Sequence, residues 1–188
     1  MQRLVYCKIL LATLLNFYGE VGIDCVKVAI RELKQSEVKA ASSLLLNVIK
    51  GLAAYYTPRD ILRNKEDYSP ENIERLMRRG GSIFRIATVG GTMAGIAVAD
   101  LYPSIPSVCW ITWIAVKKSY RHKGIGTLLV RSFEIEPARR WDKIQCRVRV
   151  GNVISNDMFK KLGYKRIRML RRKIRMRRVY VWEKPLNR

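Results

Sequence analysis

The feature that most constrains this chain is a strand-like segment that runs through a basic, glycine-containing turn into a helix-like segment. The letters from residue 113 to residue 129 are WIAVKKSYRHKGIGTLL. The β-branched and aromatic residues of Val108–Val116 predict a central strand, and Ile125–Glu134 is predicted to form a helix. Glycine lets the backbone approach a ligand closely, and the first N–H groups of a helix have no partner inside it. The amides of residues 123–127 are therefore expected to form an anion site.

The anion that suits this turn is a pyrophosphate. Its oxygens would accept hydrogen bonds from the amides, favoured by the helix dipole and by the charges of Arg121 and Lys123. The chain has no GxxxxGKS/T sequence, which excludes a P-loop. Its GxG turn also lacks the third glycine and the following acidic residue of a dinucleotide-binding site.

Length and composition indicate one domain with a hydrophobic core. The chain has 188 residues, within the usual size of a single domain, and 48% of them are hydrophobic. Its 37 basic and 15 acidic residues give a net charge of +22. The excess is local, because residues 139–188 hold 18 basic and 3 acidic residues. Such a field favours anionic partners: nucleic acid, phosphorylated cofactors, acidic lipid or an acidic protein surface.

Membrane and metal proteins are disfavoured. The longest uncharged runs, residues 86–99 and 101–116, are shorter than the ~20 residues that cross a bilayer, so no membrane partner is expected. The cysteines have no zinc-binding spacing, even with the single His122; they are Cys7, Cys25, Cys109 and Cys146. We expect reduced thiols and a cytoplasmic protein. Residues 1–24 are expected to be an N-terminal extension, or to reflect a start codon placed too early, ahead of a domain at residues 25–188.

The remaining pattern predicts an α/β domain in the order β-α-α-β-β-β-α-β-α-β-β. Ser36, Thr57–Pro58 and Ser69–Pro70 are expected to begin helices, and Gly90–Gly91 to form a hairpin turn. Asn152–Leu162 is expected to form the last helix. Besides Val108–Val116, strands are expected at Val26–Leu33, Ser82–Val89, Thr92–Asp100, Lys143–Val150, Tyr164–Leu170 and Ile174–Trp182.

The Arg-x-x-Gly-x-Gly sequence at residues 121–126, between a strand and a helix, resembles the acetyl-CoA-binding motif of the GNAT N-acetyltransferase superfamily. The hairpin IATVGGTMAGIAV looks like that family's second and third strands. The segment RVRVGNVISNDMFKKLGYKRI looks like its fifth strand, fourth helix and sixth strand. The resemblance covers roughly residues 26–184 and implies the GNAT acyl-CoA N-acyltransferase fold. That fold is a mixed, mostly antiparallel sheet of about seven strands flanked by about four helices.

The resemblance also implies a set of cofactor-binding residues, with acetyl-CoA as cosubstrate. The amides of the fourth strand would pair with the pantetheine arm where the fourth and fifth strands separate. Asn152 would touch the cofactor, act as a helix N-cap, or do both. Among these residues, His122 alone can also be interpreted as a side chain that faces solvent without binding the cofactor. The full set is Ile114, Ala115, Val116, Arg121, His122, Lys123, Gly124, Ile125, Gly126, Thr127, Asn152 and Phe159.

The chain departs from the branch it most resembles, the ribosomal-protein and N-terminal acetyltransferases. Phe159 stands where a tyrosine usually protonates the departing thiolate, and Arg147 where a glutamate often serves as base. The catalytic acid and base are therefore unassigned; Tyr120, Tyr164 and Tyr180 lie nearby in sequence without a role. A base-free, cationic site suits an α-amine, with a pKa of ~7.7–8.0, better than a lysine at ~10.4.

These residues predict an N-acetyltransferase in which an amine attacks acetyl-CoA directly in a ternary complex. The acceptor expected first is a protein or peptide N-terminus, and a small-molecule amine comes next. The alternative is a GNAT-fold cofactor-binding module with weak or no catalysis, whose basic face binds RNA or a ribosomal partner.

The basic segment Lys165–Arg178 has nine basic residues in fourteen, yet alternates apolar residues within them. Ile167, Met169, Ile174 and Met176 are expected to face the sheet and the arginines to face solvent. Arg177 and Arg178 shift the phase, which a β-bulge explains, so that Val179 and Val181 become the inward pair. The segment is interpreted as a solvated charged face, as a site for an acidic acceptor, or as an RNA or ribosome contact.

Overall fold

The described residues form seven strands of one sheet, in the spatial order β1-β2-β3-β4-β5-β7-β6. The computed structural model describes residues 28–52, 56–102, 104–136, 141–171 and 178–186. All neighbouring strands are antiparallel except β4 and β5. The predicted fold class is confirmed. The strands are β1 Val28–Glu32, β2 Ser82–Val89, β3 Thr92–Leu101, β4 Val108–Val116, β5 Lys143–Arg149, β6 Lys165–Arg171 and β7 Arg178–Pro185.

The described residues form five α-helices rather than about four. Three of them lie between β1 and β2, because Thr57 and Ser69 each cap a separate helix with proline following. Thr57 accepts a hydrogen bond from the Asp60 amide at 3.0 Å, and Ser69 accepts one from the Asn72 amide at 3.3 Å. The helices are α1 Val38–Gly51, α2 Pro58–Asp67, α3 Pro70–Arg79, α4 Ile125–Glu134 and α5 Val153–Lys161.

The helices cover the two faces of the sheet with separate apolar clusters. Val38 and Leu45 of α1 and Ile73 of α3 are buried on one face. Leu129 and Phe133 of α4 are buried on the other. None of the described helices is long and apolar enough to span a membrane.

Strands β4 and β5 separate halfway along their length. Their parallel pairing runs only from Val108 opposite Lys143 to Ile111 opposite Cys146. Beyond these pairs β4 continues to Val116 alongside β3, and β5 continues to Arg149 alongside β7. The sheet therefore opens into a V between two blocks of antiparallel strands.

The C-terminal hairpin differs from its prediction in one strand. Val179 and Val181 of β7 are buried, which confirms the predicted inward pair. The inward prediction for Ile167 and Met169 is wrong, since these side chains are 50% and 43% exposed. The reason is that β6 is an edge strand that no described helix covers. A register shift lies in β6, between Arg166 and Arg168; the predicted positions of Ile174, Met176 and Arg177 lie outside the described residues.

Two of the four cysteines lie in described segments, and both are free thiols in the core. Burial raises the pKa of Cys109 to about 12 and raises that of Cys146 well above the ordinary value. A thiol that stays protonated at neutral pH is a poor nucleophile, so these residues are packing elements. Cys7 and Cys25 lie outside the described residues.

Candidate functional site

The V between β4 and β5 holds a cleft of about 370 Å³. One wall is the separated part of β4, a second is β5 with the start of α5, and α2 lies across the opening. Among the described residues, this is where two neighbouring strands of the sheet lose their pairing. Unpaired backbone groups and polar side chains therefore lie together here. The described lining includes Leu52, Tyr56, Asp60, Arg63, Asn64, Asp67, Ile111, Thr112, Trp113, Ile114, Cys146, Arg147, Val148, Arg149, Asn152, Ser155, Phe159 and Val179.

The turn before α4 has the backbone of an anion-binding loop. His122 and Gly124 have φ values of +62° and +72°, which turn successive amides toward the same side. The first helical bond runs from the Leu128 amide to the Gly124 carbonyl at 3.0 Å. Within the described part of the chain, no acceptor is bonded to the amides of residues 122–127. The turn thus carries unpartnered donors at a helix N-terminus.

Side chains of this turn are exposed or tie it to β4. The Arg121 Nε donates to the Val116 carbonyl at 3.2 Å, and the Lys123 Nζ lies 5.9 Å from the centre of the Tyr120 ring. His122 is exposed, as its solvent-facing interpretation requires. Arg121 therefore anchors the turn to the end of the strand and leaves the amides facing outward.

Gly126 brings the start of α4 next to the cleft. A Cβ at this position would lie 3.8 Å from the Ile114 Cγ2 on the cleft wall and 3.2 Å from the Met158 Sδ of α5. The predicted turn itself does not line the cleft but lies at its end, beside Ile114.

The predicted residues of β4 divide between the two faces of the sheet. Ile114 lines the cleft, while Ala115 is buried in the cluster that contains α1 and Val116 packs against the cluster that contains α4. The peptide groups of Ile114 and Val116 point to the β5-facing edge, whereas that of Ala115 points to β3, as does the Lys117 amide that donates to the Ala94 carbonyl. Past Ile111 the β5-facing edge of β4 has no strand partner, so it offers unpaired peptide groups along the cleft.

Asn152 has the predicted role of a helix N-cap and lies at the cleft. Its Oδ1 accepts a hydrogen bond from the Ser155 amide at 3.2 Å, which makes it the N-cap of α5, and it lines the cleft.

Asn156 fixes the turn that carries Asn152, and the sequence analysis missed it. The Asn156 amide nitrogen donates to the carbonyl oxygens of Arg149, Val150 and Asn152 at 2.9, 3.2 and 2.9 Å. Its Oδ1 accepts from the Trp182 indole at 2.9 Å. An asparagine inside a helix is uncommon because it competes for backbone groups, and that was the available signal.

Phe159 lines the cleft, but it offers no proton. Its ring is buried and packs edge-on against Tyr164, with 5.0 Å between ring centres. Burial raises the pKa of Tyr164, so this phenol holds its proton too tightly to act as an acid. Tyr120 and Tyr180 are covered by Lys123 and Arg166, and none of the three tyrosines is among the described lining residues.

Arg147 and Arg149 form the wall opposite β4, each stacked on an aromatic ring. The Arg147 Cζ lies 4.8 Å from the Trp110 ring centre, and the Arg149 Cζ lies 5.1 Å from that of Tyr56. Tyr56 also contacts Trp113, with 5.7 Å between ring centres. Tyr56 is therefore the tyrosine among the described lining residues, and it was not predicted from the sequence.

Two carboxylates of α2 line the cleft, which the sequence-based expectation of a base-free site did not include. The Asp60 Oδ2 accepts from the Thr57 amide at 3.0 Å as part of a capping box. The Asp67 carboxylate lies 3.7 Å from Arg63 Nε. No local pattern marks these residues as site residues, because only the tertiary fold brings α2 across β4 and β5.

Comparison with known families agrees with this geometry. The sequence profile of the acetyltransferase (GNAT) family matches residues 49–164, which is more than half of the chain. This chain belongs to the GNAT acetyltransferase family. The matched region contains β2–β5, the α4 turn and α5, so every predicted cofactor-binding residue lies inside it. A search of curated proteins found no match for this chain.

Solved structures show the same GNAT fold. The PaiA N-acetyltransferase of Thermoplasma acidophilum, in complex with coenzyme A, has a TM-score of 0.67 and 20% identity, covering 85% of this chain and 99% of its own. A Salmonella typhimurium acetyltransferase that modifies the N-terminal serine of ribosomal protein L7/L12 has a TM-score of 0.67 and 18% identity, covering 85% and 95%. The YncA structure from the same organism, with its cofactor acetyl-CoA, has a TM-score of 0.68 and 15% identity, covering 85% and 94%.

The GNAT family assignment confirms acetyl-CoA as the cosubstrate, in agreement with these complexes. The residues of this chain suit that molecule. Unpartnered amides at residues 122–127 match a pyrophosphate, and the unpaired edge of β4 matches the amide groups of a pantetheine arm.

Proposed function

We propose that this GNAT acetyltransferase transfers the acetyl group of acetyl-CoA to the α-amine of a peptide or protein. The observation that carries the proposal is the wall formed by Arg147 and Arg149 in the cleft, where the resemblance predicts a glutamate base. We propose further that the domain spans residues 25–188 and acts in the cytoplasm, where thiols such as Cys109 and Cys146 stay reduced.

In this proposal, acetyl-CoA is bound mainly by main-chain groups. Residues 122–127 would hold the pyrophosphate through their amides while Arg121 anchors the turn, and the peptide groups of Ile114 and Val116, on either side of Ala115, would pair with the pantetheine arm. Asn152 and Phe159 would border the thioester end, since both line the cleft between the separated strands. Acetyl-CoA supplies the acetyl group as a thioester.

The cationic wall favours an amine of low pKa. A positive charge near a bound ammonium disfavours its charged form and therefore lowers its pKa. An α-amine begins near ~7.7–8.0 and a lysine near ~10.4, so only the α-amine comes close to neutral at pH 7. Arg147 and Arg149 thus favour an α-amine over a lysine, because an α-amine loses its proton more readily without a base.

Transfer then requires little proton-handling machinery. The neutral nitrogen bonds to the thioester carbonyl carbon, the carbon–sulfur bond breaks, the nitrogen releases one proton to water and the sulfur leaves as a thiolate. A free thiol has a pKa of ~8.5, and a neighbouring arginine such as Arg147 stabilises the thiolate further. Asp60 and Asp67 are the carboxylates that line the cleft. A positioned acid or base contributes about 10²- to 10⁴-fold, so transfer is slower but not abolished where neither carboxylate acts as a base.

The test is a paired acetyl-transfer assay that follows the release of free thiol. One peptide has a free α-amine and no lysine, and the other has a blocked N-terminus and one lysine in the same surroundings. We expect kcat/KM for the α-amine to be at least about 10-fold higher at pH 7, because far more of it is neutral.

The Arg147→Glu variant completes this test. A carboxylate at residue 147 supplies a base and raises the pKa of a bound amine, so the ratio of the two rates should move toward lysine. Equal rates for the two peptides with the unmodified protein, or faster acetylation of lysine, would show that the acceptor class is wrong.

A cofactor-binding module that holds RNA or a ribosomal partner is the second candidate, favoured by the exposure of the basic residues on β6. Lys165, Arg166 and Arg168 are all exposed on this edge strand. Under this function acetyl-CoA would bind and no peptide would release thiol, while binding of an RNA oligonucleotide would weaken steeply with salt. Thiol release with the α-amine peptide separates the two functions.

A further inference from the structure

The two arginines of the cleft wall extend from the face of β5 that is turned away from α4. Cys146 and Val148, which alternate with them, are buried in the cluster that contains α4. Side chains alternate along a strand, so Arg147 and Arg149 lie on the opposite face, separated by about 7 Å along the strand. This is the face on which Tyr56, which precedes α2, and Asp60 of α2 line the cleft.

Stacking holds the two guanidinium groups without using their hydrogen-bond donors. Arg147 lies over Trp110 and Arg149 over Tyr56, at 4.8 and 5.1 Å from the ring centres. A guanidinium that stacks on a ring keeps its N–H groups directed sideways in its own plane, where they match the two oxygens of a carboxylate.

Neither arginine has a carboxylate partner within 4.0 Å in the segments that the structure describes. Arg31, Arg85 and Lys143 of the same sheet are paired, with Glu37, with Glu32 and Glu136, and with Glu183, whereas the exposed Lys165, Arg166 and Arg168 of β6 also have no carboxylate within 4.0 Å among the described residues. Arg147 and Arg149 differ from the basic residues of β6 because they line the cleft, so their free donors can bind an anion that enters it.

A third arginine continues the same face across the hairpin. Val181 of β7 is opposite Arg147 on one side and opposite Arg168 on the other. Residues that pair across a sheet share a face, so Arg168 lies on the cleft side, two strands away. The cationic surface therefore extends outward from the point where β4 and β5 separate.

We propose that Arg147 and Arg149 form a carboxylate-binding subsite for the acceptor, so that this chain selects peptides with Asp or Glu directly after the acetylated residue. The inference rests on the proposed function, because it places the acceptor amine in the cleft. Arg147 is the first residue of β5 beyond the last β4 pair, at Cys146. An extended peptide advances about 3.3 Å per residue, so a carboxylate in its first three residues lies within the span of the two arginines.

The test compares three lysine-free peptides with the same first residue and with Glu-Glu, Gln-Gln or Ser-Ser at the second and third positions. Thiol release gives kcat/KM, and fluorescence anisotropy in the presence of coenzyme A gives peptide affinity without turnover. We expect the Glu-Glu peptide to exceed the other two by at least about 10-fold, mainly through KM, because the carboxylates act in binding.

Variants separate the subsite from general charge. Arg147→Gln and Arg149→Gln should each reduce the Glu-Glu preference by about fivefold or more, and Arg147→Lys should restore part of it because it keeps the charge without the planar fork. Arg166→Gln is the matched control: Arg166 also stacks on a ring, 4.4 Å from the centre of Tyr180, but its partner Trp182 lies in the cluster on the other face. It removes the same charge and should leave the preference unchanged.

The readouts distinguish this inference from the proposed function. If no peptide is acetylated but the Glu-Glu peptide still binds best in an Arg147-dependent way, the subsite stands and the proposed function fails. Equal transfer and equal affinity for all three peptides would overturn the subsite alone. A loss of coenzyme A affinity in Arg147→Gln would also overturn the subsite. Arg147-dependent binding of an RNA oligonucleotide in preference to the Glu-Glu peptide would do the same. Faster acetylation of free glutamate than of the peptides would support the subsite and assign it to an amino acid.

Discussion

The two ends of the cleft bind with different parts of the chain. At the α4 end the groups offered are main-chain amides, set by a turn with positive φ at His122 and Gly124. At the β5 end they are the side chains of Arg147, Arg149 and Tyr56. A main-chain site depends on backbone conformation and tolerates changes in many side chains, whereas a side-chain site changes with each substitution. One GNAT fold can therefore keep its cosubstrate while its acceptor varies.

This contrast between a main-chain end and a side-chain end would be wrong if the conformation of the α4 turn had no effect on coenzyme A binding. Gly124→Val places a β-branched residue at φ +72°, where it costs about 1–2 kcal/mol. The turn relieves this strain by changing conformation, which misdirects its amides. We expect affinity for coenzyme A, measured by calorimetry, to fall at least about 10-fold.

Gly80→Val is the matched control for this change. Gly80 has φ +67° after α3 on the other face of the sheet, and like Gly124 it has open space where a Cβ would be. The two variants should lose similar thermal stability, and only Gly124→Val should lose affinity. Equal affinity for both would remove the argument that the turn holds the pyrophosphate.

A second substitution, Gly126→Ala, tests how closely α4 packs against α5 at the same end of the cleft. Alanine at residue 126 gains helix propensity of about 0.5–1 kcal/mol, but its Cβ would lie 3.2 Å from the Met158 Sδ, and overpacking costs about 1 kcal/mol or more. We expect Gly126→Ala alone to be near neutral in urea unfolding. In a Met158→Ala background it should stabilise by about 0.5–1 kcal/mol. Additive effects would show that α4 and α5 are not in close contact at Gly126.

The smallest expected effect lies away from the cleft, in the ion pair between Arg31 and Glu37. The Arg31 guanidinium, which donates at 2.6 and 2.7 Å, lowers the pKa of Glu37 from 4.5 to about 2. The folded pKa is depressed, so the stabilisation is present above pH 4.5 and is lost as the pH falls toward 2. Both side chains are partly exposed, so its magnitude at neutral pH is about 1 kcal/mol.

Urea unfolding of Glu37→Gln checks this value. The difference from the unmodified protein should be about 1 kcal/mol at pH 7 and smaller at pH 3, with acetyl transfer unchanged. Glu66→Gln, which changes an exposed glutamate of α2, serves as control and should have little effect at either pH. A constant difference across this pH range would contradict the assigned pKa.

Local signals predicted the parts of the fold that depend on neighbours in sequence. Val108–Val116 and Ile125–Glu134 have the predicted bounds, because a β-branched run and a glycine turn each act over a few residues. The edge strand β6 was harder to predict. Its alternation of Ile167 and Met169 is typical of a half-buried strand, but whether a layer covers it depends on elements far along the chain.

The candidate site divides in the same way. Residues 121–127 follow from a motif, since the glycines determine the backbone there. The side chains opposite β5 did not follow, because Tyr56, just before α2, and Asp60 of α2 reach the cleft only through the path of the chain over the sheet. Sequence analysis therefore identified the main-chain half of the site and missed most of the side-chain half.

Among the described residues, only four residue pairs between strands, Val108–Lys143 to Ile111–Cys146, join the two antiparallel blocks of the sheet. Each block keeps its own complete ladder, so the angle between them can change without breaking a hydrogen bond in either. These four pairs, together with the side chains between the blocks, therefore set the width of the cleft between β4 and β5. A wider or narrower cleft leaves the backbone pairing within each block intact.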